Sequence, residues 1–341
     1  YVDFRYSNVG DEKLSMLWIR VILSGAAAAT VFIIVMAVAL KIIQRNVVEP
    51  IGKTAAYAGA FADGGELKQE QLYLKRTGSE IDQLGRSVNV MSEDIRRYVK
   101  DIKAKTAREE YMAAQLAIAR SIQLGMLPGR WMGTGFGVVP YIKPAKEVGG
   151  DFYYFKQQDE CRVFVCIADV SGKDVSAAMF MARTKTLIEA YADLPPGNML
   201  TRINQALSEG NEAMMFVTLF AAVIDRENLQ MSYANAWHNP PVYYSAGHAA
   251  WLEDEPDPPL GIMEQIQYQQ HVLEITREFR LFIYTDGVNE AQNAEEEFFG
   301  NERILQTVED AALMGLSDEE LIKRMDEELI SFTQDAEQSD D

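Results

Sequence analysis

The longest apolar segment of the chain lies near its start, at residues 17–43. Its centre, 21–40, contains no charged residue and is long enough, as a helix, to cross the hydrocarbon core of a membrane. Arg20 and Lys41 bracket this centre, where their long side chains can reach the two interfaces. Uninterrupted length disfavours a buried core helix, and the preceding polar residues disfavour a signal peptide. The pattern therefore predicts a transmembrane helix at 17–43, preceded by an extracytoplasmic remnant (1–16) of a longer protein.

After this segment, apolar residues recur at alternating steps of four and three along two stretches, as they do in coiled coils. With Pro50 early in the first stretch, a Gly/Asp break at 63–65 and a second start at 79–81, residues 44–98 resemble a HAMP signal-relay module. One helix pair needs a second pair to fill a four-helix core, which implies a parallel homodimer. Two amphipathic helices packed on another core are the alternative. The apolar positions are Val47, Ile51, Thr54, Ala58 and Phe61, then Ile81, Leu84, Val88, Met91, Ile95, Tyr98 and Ile102.

The heptad pattern stops in the polar run at 103–110, and apolar residues return with a different spacing before Pro128. A change of register between two helical segments is typical of an element that switches between two states. We therefore expect a regulatory linker helix at 99–128, whose part from 112 to 127 packs on the following domain and controls it by rotating or ordering. A passive spacer is the alternative. The returning apolar residues are Met112, Leu116, Ile118, Ile122, Leu124 and Met126.

From residue 129 to 334 the pattern changes to short runs rich in aromatic and β-branched residues, separated by turn residues. Runs of strands with segregated helices are typical of an α+β fold. Residues 335–341 form an acidic tail that we expect to be solvated. The predicted strands are 152–155, 163–170, 216–224, 229–233, 242–244, 266–275 and 279–284, largely antiparallel, and the predicted helices include 176–191, 301–314 and 318–332.

Composition and charge restrict the classes of partner and the cellular compartment that the chain can have. At 341 residues, of which 48% are hydrophobic, the chain is long enough for more than one domain and a sizeable core. Its net charge of -19 argues against a nucleic-acid partner, because such a chain would not release counterions from a phosphate backbone. Cys161 and Cys166 lie around one predicted strand, where a disulfide is geometrically unfavourable. We therefore expect free core thiols in a reducing compartment.

Three carboxylates stand at the ends of predicted strands. Asp151 follows a Gly-Gly pair, Asp169 ends one apolar strand, and Asp286 follows another. Two carboxylates about 4 Å apart repel by roughly 4 kcal/mol at an effective dielectric of about 20, so a converging cluster takes up protons or binds cations. Oxygen ligands without Cys or His in a metal-binding spacing favour Mg²⁺ or Mn²⁺. Each motif alone is also ordinary turn chemistry, but the three together predict a hard-cation site.

Seven motifs follow one another from residue 147 onwards. They read Glu147-Val-Gly-Gly-Asp151, Ala168-Asp169-Val-Ser-Gly-Lys173, Ala177-Ala-Met-Phe-Met181, Phe216-Val-Thr-Leu219, Asn235-Ala-Trp-His-Asn-Pro-Pro241, Pro259-Leu-Gly-Ile262 and Leu281-Phe-Ile-Tyr-Thr-Asp-Gly287. In this order and spacing, the series resembles the bacterial PP2C-type serine phosphatases of the sporulation and stress-response (partner-switching) class.

The resemblance implies a PP2C-like sandwich of two β-sheets flanked by helices at 129–334, with two Mn²⁺ or Mg²⁺ ions at its site. It implies that Asp169 bridges the ions, that the Val170 carbonyl and Asp286 bind them, and that Asp151 binds directly or through water. The implied reaction is hydrolysis of phosphoserine or phosphothreonine by a metal-bound water, without a phosphoenzyme. Lys146 matches the position of a phosphate-binding Arg or Lys, and a solvated surface lysine is the alternative.

By the same resemblance, the substrate is a phosphorylated anti-sigma-factor antagonist protein. The expected location is the cytoplasmic (inner) membrane, with the phosphatase domain in the cytoplasm. A catalytically silent PP2C-like switch, which binds such a partner without turnover, is the first alternative. A membrane histidine kinase or chemoreceptor is the second, disfavoured because His238, His248 and His271 all lie far along the chain from the coiled coil and no Gly-rich ATP-binding sequence appears.

Other polar residues of the motifs receive structural roles. His238 and Asn239 are expected to shape a turn below the site rather than to act as acid and base. Ser171 is disfavoured as a nucleophile, because no G-x-S-x-G elbow surrounds it.

The sequence also departs from the family pattern, without removing a proposed ligand. An added carboxylate at Asp174 would tune metal affinity or face water. A fourth acidic ligand has no clear counterpart, since Asn301 and Asp310 are only neighbours in the right region, and this implies weak binding of the second ion. The departures are Trp237 and Asp174 where Gly is usual, Ser176 where Pro is common and Tyr154 where Asp is common.

Overall fold

The fold is seen in a computed structural model that describes residues 9–62, 80–133, 135–146, 148–252 and 255–334. The chain divides into two compact units, Tyr1–Glu109 and Glu110–Asp341. Three parts of the sequence prediction lie outside the described residues: the start of the extracytoplasmic remnant, the break at 63–65 between the coiled-coil stretches, and the acidic tail.

The N-terminal unit is helical. Helix α1 covers Val9–Ile43, a π-helical turn follows at Gln44–Val48, and α2 covers Glu49–Ala62. The stretch Leu14–Gly59 contains a window with a mean hydropathy of 2.5, and none of that window is buried. Among the described residues it is the one helix long and apolar enough to cross a membrane. The helix begins before the predicted start of the span at residue 17, so part of the expected polar remnant is helical.

Helix α3 covers Glu80–Gly125 without interruption. The sequence pattern predicts a change of register between two helical segments at 103–110, and in the structure the two segments form one helix, because the backbone stays helical through the polar run. That run consists mostly of strong helix formers, and Lys105 and Glu109 form an (i, i+4) ion pair of 3.7 Å within it. The register of apolar positions changes, but the helix does not.

The contact between α2 and the first part of α3 is polar. The hydroxyl oxygens of Tyr57 and Ser92 lie 3.0 Å apart, and Nη2 of Arg96 donates to the Tyr57 hydroxyl at 3.3 Å. By contrast, several of the apolar heptad positions of α3 are exposed within the described chain, namely Leu84, Met91, Tyr98 and Ile102. The predicted coiled-coil face is therefore largely uncovered in a single chain.

The C-terminal unit is a layered α+β domain whose strand pairs are all antiparallel. In chain order its elements are β1 (Trp131–Met132), β2 (Gly137–Val138), β3 (Phe152–Gln157), β4 (Arg162–Val170), α4 (Val175–Tyr191), α5 (Pro196–Ser208), β5 (Val217–Asp225), β6 (Gln230–Ala236), β7 (Val242–Ser245), β8 (His248–Trp251), β9 (His271–Glu274), β10 (Phe279–Phe282), α6 (Asp286–Asn289), α7 (Asn301–Leu313) and α8 (Asp318–Thr333).

Two sheets form the middle of this domain, one with the order β3-β4-β5-β6-β9 and one with the order β10-β7-β8. Side chains from both sheets, such as Phe220 of β5 and Tyr243 of β7, belong to one apolar cluster, so the sheets pack face to face. The outer face of the larger sheet packs on α4 and α5, and that of the smaller sheet packs on α7 and α8. This is the two-sheet sandwich flanked by helices that the sequence predicts.

Strands β1 and β2 lie outside the predicted set of strands, and two later strands also differ from the prediction. Strand β8 is an addition: Ala246 and Gly247, at φ 54° and 86°, form a two-residue turn whose left-handed conformation reverses the chain after β7. The strand predicted at 266–275 shortens to β9, because backbone N–H groups before it donate to side chains instead of a neighbouring strand. Tyr268 donates to the Thr201 hydroxyl at 3.1 Å, and Gln269 to Asp257 at 2.7 Å.

Candidate active site

Asp151 and Asp169 lie next to each other at one end of the larger sheet. The ladder between β3 and β4 ends with the pair Phe152 and Ala168, and Asp151 and Asp169 are the next residues beyond that pair on the two chain segments. Directly opposed residues of an antiparallel pair project from the same face, with Cβ atoms about 5 Å apart. Asp151 is only 5% exposed. The register therefore brings together two of the three carboxylates predicted from the sequence.

The end of β3 also approaches the backbone of β4 closely. A Cβ atom built on Gly150 would lie 2.5 Å from the carbonyl oxygen of Val170, nearer than real Cβ atoms come. Glycine is therefore required for this approach. It leaves the Val170 carbonyl, another predicted ligand, beside Gly150, which directly precedes Asp151.

Side-chain alternation places this group between the two sheets. Along β4, Phe164 and Ala168 face α4 and α5, whereas Val163 and Val165 face the smaller sheet. Asp169 has the parity of the second set, so it points to the inner side. Thr218, its partner on β5, does the same, since Phe220 and Ala222 belong to the inner cluster.

Asp286 comes from the smaller sheet, and a buried histidine ties its segment to the larger one. It begins the short helix α6, just after β10. Nδ1 of His238 lies 2.8 Å from the Thr218 hydroxyl oxygen, and Nε2 lies 3.1 Å from the carbonyl oxygen of Tyr284, two residues before Asp286. The chain Thr218–His238–Tyr284 thus connects the partner of Asp169 to the backbone that carries Asp286.

The chemistry of these partners fixes the state of His238. A carbonyl oxygen only accepts, so Nε2 carries the proton and donates to Tyr284, while Nδ1 accepts from the Thr218 hydroxyl. Burial lowers the pKa of His238 from its ordinary 6.5 to about 4, so the ring is neutral at pH 7. Neutral imidazole is the one form that accepts at one nitrogen and donates at the other.

The turn that contains His238 is held by amide side chains. Asn235 donates from Nδ2 to the His238 carbonyl at 3.0 Å and accepts from the His238 N–H at 2.8 Å. Asn239 donates to the Asn289 side chain, in α6, at 2.9 Å. His238 and Asn239 therefore shape a turn next to the site, as the sequence suggested. They also bind the segment of Asp286 through hydrogen bonds to Tyr284 and Asn289.

Asp174 has a structural role that the sequence left open. Its Oδ1 accepts from the N–H groups of Ser176 at 2.8 Å and Ala177 at 3.2 Å, which makes it the N-cap of α4. The hydrogen bonds from Ala177 and Ser176, with a smaller contribution from the charge of Lys146, lower the pKa of Asp174. Lys146, which is exposed, therefore lies near the start of α4.

Ser171 is part of the backbone frame. Its hydroxyl oxygen accepts from the Phe216 N–H at 3.0 Å, and its own N–H donates to the Phe216 carbonyl at 2.9 Å. These bonds continue the β4–β5 pairing past Val170 and hold the loop before β5 against the site.

The predicted ligands fit a divalent cation in part. Asp151, Asp169 and the Val170 carbonyl supply the oxygen donors that Mg²⁺ and Mn²⁺ prefer, in a cradle that a Cβ at Gly150 would fill. However, the residues that the structure describes contain no group of three or more His, Cys, Asp or Glu side chains arranged to hold a metal ion. Asp286 begins the segment that His238 links to the larger sheet, and the four-ligand set stays a prediction.

Comparison with known proteins agrees with this architecture. The profile described as Stage II sporulation protein E (SpoIIE) matches residues 159–341, more than half of the chain. The chain belongs to the SpoIIE family. The matched range contains Asp169, Val170 and Asp286 of the SpoIIE-type domain, whereas Lys146 and Asp151 precede it. A HAMP domain profile matches residues 42–97, which confirms the resemblance to that module.

Two similar proteins are phosphoserine phosphatases of Bacillus subtilis (strain 168). RsbU is 29% identical over 201 residues, which are 58% of this chain and 58% of that protein. RsbP is 28% identical over 195 residues, which are 55% of this chain and 47% of that protein. The chain therefore spans about half the length of these relatives.

A solved structure supports the fold of the SpoIIE-type domain. The SiaA-PP2C domain of Pseudomonas aeruginosa has a TM-score of 0.59 and 21% sequence identity, and the match covers 69% of this chain and 95% of that chain. At this identity the likeness shows the fold alone, and it confirms the PP2C-like sandwich.

Proposed function

We propose that the SpoIIE-type domain is a metal-dependent protein-serine/threonine phosphatase acting on a partner protein. The observation that carries the proposal is the pair Asp151–Asp169 on the inner face of the larger sheet, tied through Thr218, His238 and Tyr284 to the segment of Asp286. The names of RsbU and RsbP as phosphoserine phosphatases support the same reaction class.

Each predicted site residue has a role in this proposal. Asp151, Asp169, the Val170 carbonyl and Asp286 would hold two Mn²⁺ or Mg²⁺ ions, which supply Lewis acidity at the phosphoryl group and at a water when bound. The proposed contribution of the chain is placement: the register of β3 and β4 would position the first two carboxylates, and the His238 link would position the segment of the third. Lys146 would attract a phosphoryl oxygen as a mobile positive charge.

The first prediction concerns turnover itself. With Mn²⁺, the purified chain is expected to hydrolyse p-nitrophenyl phosphate. Hydrolysis is expected to stop on addition of EDTA and to resume when Mn²⁺ is restored in excess. The release of p-nitrophenolate measures this.

The second candidate, a silent switch, gains support from the lack of a three-carboxylate group among the described residues. It predicts binding of a phosphorylated anti-sigma-factor antagonist protein with no release of phosphate.

We further infer that the protein acts at the cytoplasmic face of the inner membrane as a homodimer. The apolar helix around Leu14–Gly59 supports the anchor. The exposed heptad residues of α3, including Leu84 and Met91, support a second copy, because a coiled coil buries such residues against its partner. The free thiols of Cys161 and Cys166 suit a reducing compartment.

The linker part of α3 offers a route for regulation. Gln123 donates to the Gly149 carbonyl at 2.7 Å and accepts from the Gly149 N–H at 3.3 Å, two residues before Asp151. Leu127 packs on the cluster beneath α4 and α5. By contrast, Met112 and Ile118 are exposed, so only the C-terminal end of the linker contacts the domain among the described residues. A turn of this helix would act on the backbone that positions Asp151.

A second prediction tests this route. Inserting one residue after Ala107 rotates the following residues by about 100° around the helix axis, and we expect the phosphatase output of the membrane-inserted protein to change by about fivefold or more, the lower end of typical allosteric coupling. A seven-residue insertion shifts the phase by only about 20° and serves as the matched control. Phosphate release that both insertions leave unchanged would identify the helix as a passive spacer.

A further inference from the structure

Two large apolar side chains are exposed on residues with left-handed backbone. Met214 has φ 51° and is 78% exposed, and Trp237 has φ 58° and is 60% exposed. A side chain with a Cβ is strained in this region, whereas glycine adopts it freely. Both positions therefore carry a residue that is less favourable for the fold than glycine would be, and neither buries its side chain in return.

Both residues lie at the end of the larger sheet that carries Asp169. Strand β4 ends at Val170, β5 begins at Val217 and β6 ends at Ala236, so antiparallel pairing brings these three ends together. Trp237 comes directly after β6. Two strand spacings, about 10 Å, separate β6 from the strand of Asp169.

Met214 lies before the start of β5, at the same end of the sheet. It stands two residues before Phe216, which exchanges hydrogen bonds with Ser171 at the end of β4. The two exposed side chains thus lie at the same end of the larger sheet as Asp151, Asp169 and Thr218.

We propose that Met214 and Trp237 are substrate-specificity residues that contact apolar residues next to the phosphoserine of the protein substrate. This rests on the proposed phosphatase function. A protein interface of standard size buries about 800 Å² on each partner, which extends well beyond 10 Å from its centre. A folded substrate with its phosphoserine at Asp169 would therefore extend over this end of the sheet, where both side chains are exposed.

The chemistry of the two side chains indicates what they bind. Trp is enriched among the residues that dominate interface energies, and Met adapts to irregular apolar surfaces. Neither side chain carries a charge, so the matching surface is apolar. Strained residues that contribute nothing to packing persist where a binding role compensates for the loss of stability.

The test compares peptide binding with stability. Two fluorescent phosphoserine dodecapeptides serve as probes, one with Leu and Phe on both sides of the phosphoserine and one with Ser and Gly there. Both peptides carry a non-hydrolysable phosphonate in place of the phosphate ester, so anisotropy in Mn²⁺ gives their Kd values without turnover and with the proposed metal site filled. The wild-type chain is expected to prefer the apolar peptide about tenfold, or about 1.4 kcal/mol. In Trp237→Gly and Met214→Gly the preference falls towards one, while the melting temperature stays equal or rises.

Ala246→Gly is the matched control, because Ala246 also has a positive φ, of 54°. It lies at the opposite end of the smaller sheet from Asp286: the preceding residue, Ser245, pairs with Phe279, the first residue of β10, whereas Asp286 follows the last. This control is expected to keep the tenfold preference. An unchanged preference in both glycine variants, or a clear fall in their melting temperatures, overturns the proposal. Hydrolysis of p-nitrophenyl phosphate is measured separately, so loss of the phosphatase function itself is recognised by a wild-type chain that binds the peptide selectively yet releases no p-nitrophenolate.

Discussion

Asp169→Asn is expected to abolish both phosphatase turnover and metal binding while leaving the fold intact. The asparagine side chain has nearly the same shape as aspartate, and the backbone pairing of residue 169 with Thr218 does not depend on the side chain. The substitution removes the negative charge of Asp169, the middle residue of the row Asp151, Asp169 and Thr218. We expect kcat/KM for p-nitrophenyl phosphate to fall by at least about 10³-fold, equivalent to about 4 kcal/mol of transition-state stabilisation.

Calorimetric titration with Mn²⁺ supplies the second readout for this variant. Heat of binding is expected to disappear, and the metal-free variant is expected to unfold at the same or a higher urea concentration, because repulsion with Asp151 is relieved. Asp193→Asn is the control, since Asp193 is an exposed carboxylate that accepts a hydrogen bond from Lys156 at 2.8 Å. Wild-type turnover in Asp169→Asn would show that this carboxylate does not take part in the reaction.

The local parts of the site could be predicted from the sequence because strand alternation is a local signal. The aromatic and β-branched runs predict strands β3 and β4, and the ends of these predicted strands give the positions of the carboxylates. The pairing of Asp151 with Asp169 then needs only a short antiparallel connection. By contrast, the position of Asp286 depends on how two sheets meet, and no local pattern encodes that distance.

The role of Thr218 was missed for the same reason. The motif Phe216-Val-Thr-Leu219 was recognised, but nothing along the chain shows that its hydroxyl meets a histidine twenty residues later. Alternate residues of β5 face the same side of the sheet, so Thr218 lies on the side of Phe220. This alternation is the signal that could have placed Thr218 beside Asp169. A polar residue at an inward position of a strand end is a candidate for such a contact.

The helical unit shows the opposite limitation. Heptad spacing predicted which residues of α3 form an apolar stripe, but within the described chain the side that packs on α2 carries Ser92 and Arg96. Periodicity identifies a face and leaves its partner open. The break at 103–110 concerns the apolar stripe alone, because polar residues with high helix propensity continue the helix there.

His238→Gln is expected to lower metal affinity without unfolding the domain, and this is the second prediction with a large effect. Gln retains a donor and an acceptor but not the span of the ring between Thr218 and Tyr284. The Asp286 segment then loses its fixed position, so Mn²⁺ is expected to bind about 10–100-fold more weakly, the range found when groups that orient metal ligands are changed. Thr218→Val, which removes one hydrogen bond, is expected to have a smaller effect, and Thr218→Ser none.

The same histidine makes stability depend on pH in a direction that can be checked. Its pKa is about 4 in the folded chain and 6.5 ordinarily, so between these values the unfolded chain binds a proton that the folded chain does not. Stability from this group is complete above pH 6.5 and falls by about 1.4 kcal/mol per pH unit down to pH 4. Urea unfolding at pH 7 and pH 5 should therefore show a larger loss for the wild-type chain than for His238→Gln, by about 2 kcal/mol. Equal losses in the two proteins would mean that His238 is already charged in the fold, and a charged ring cannot accept from Thr218 and link the two sheets as described.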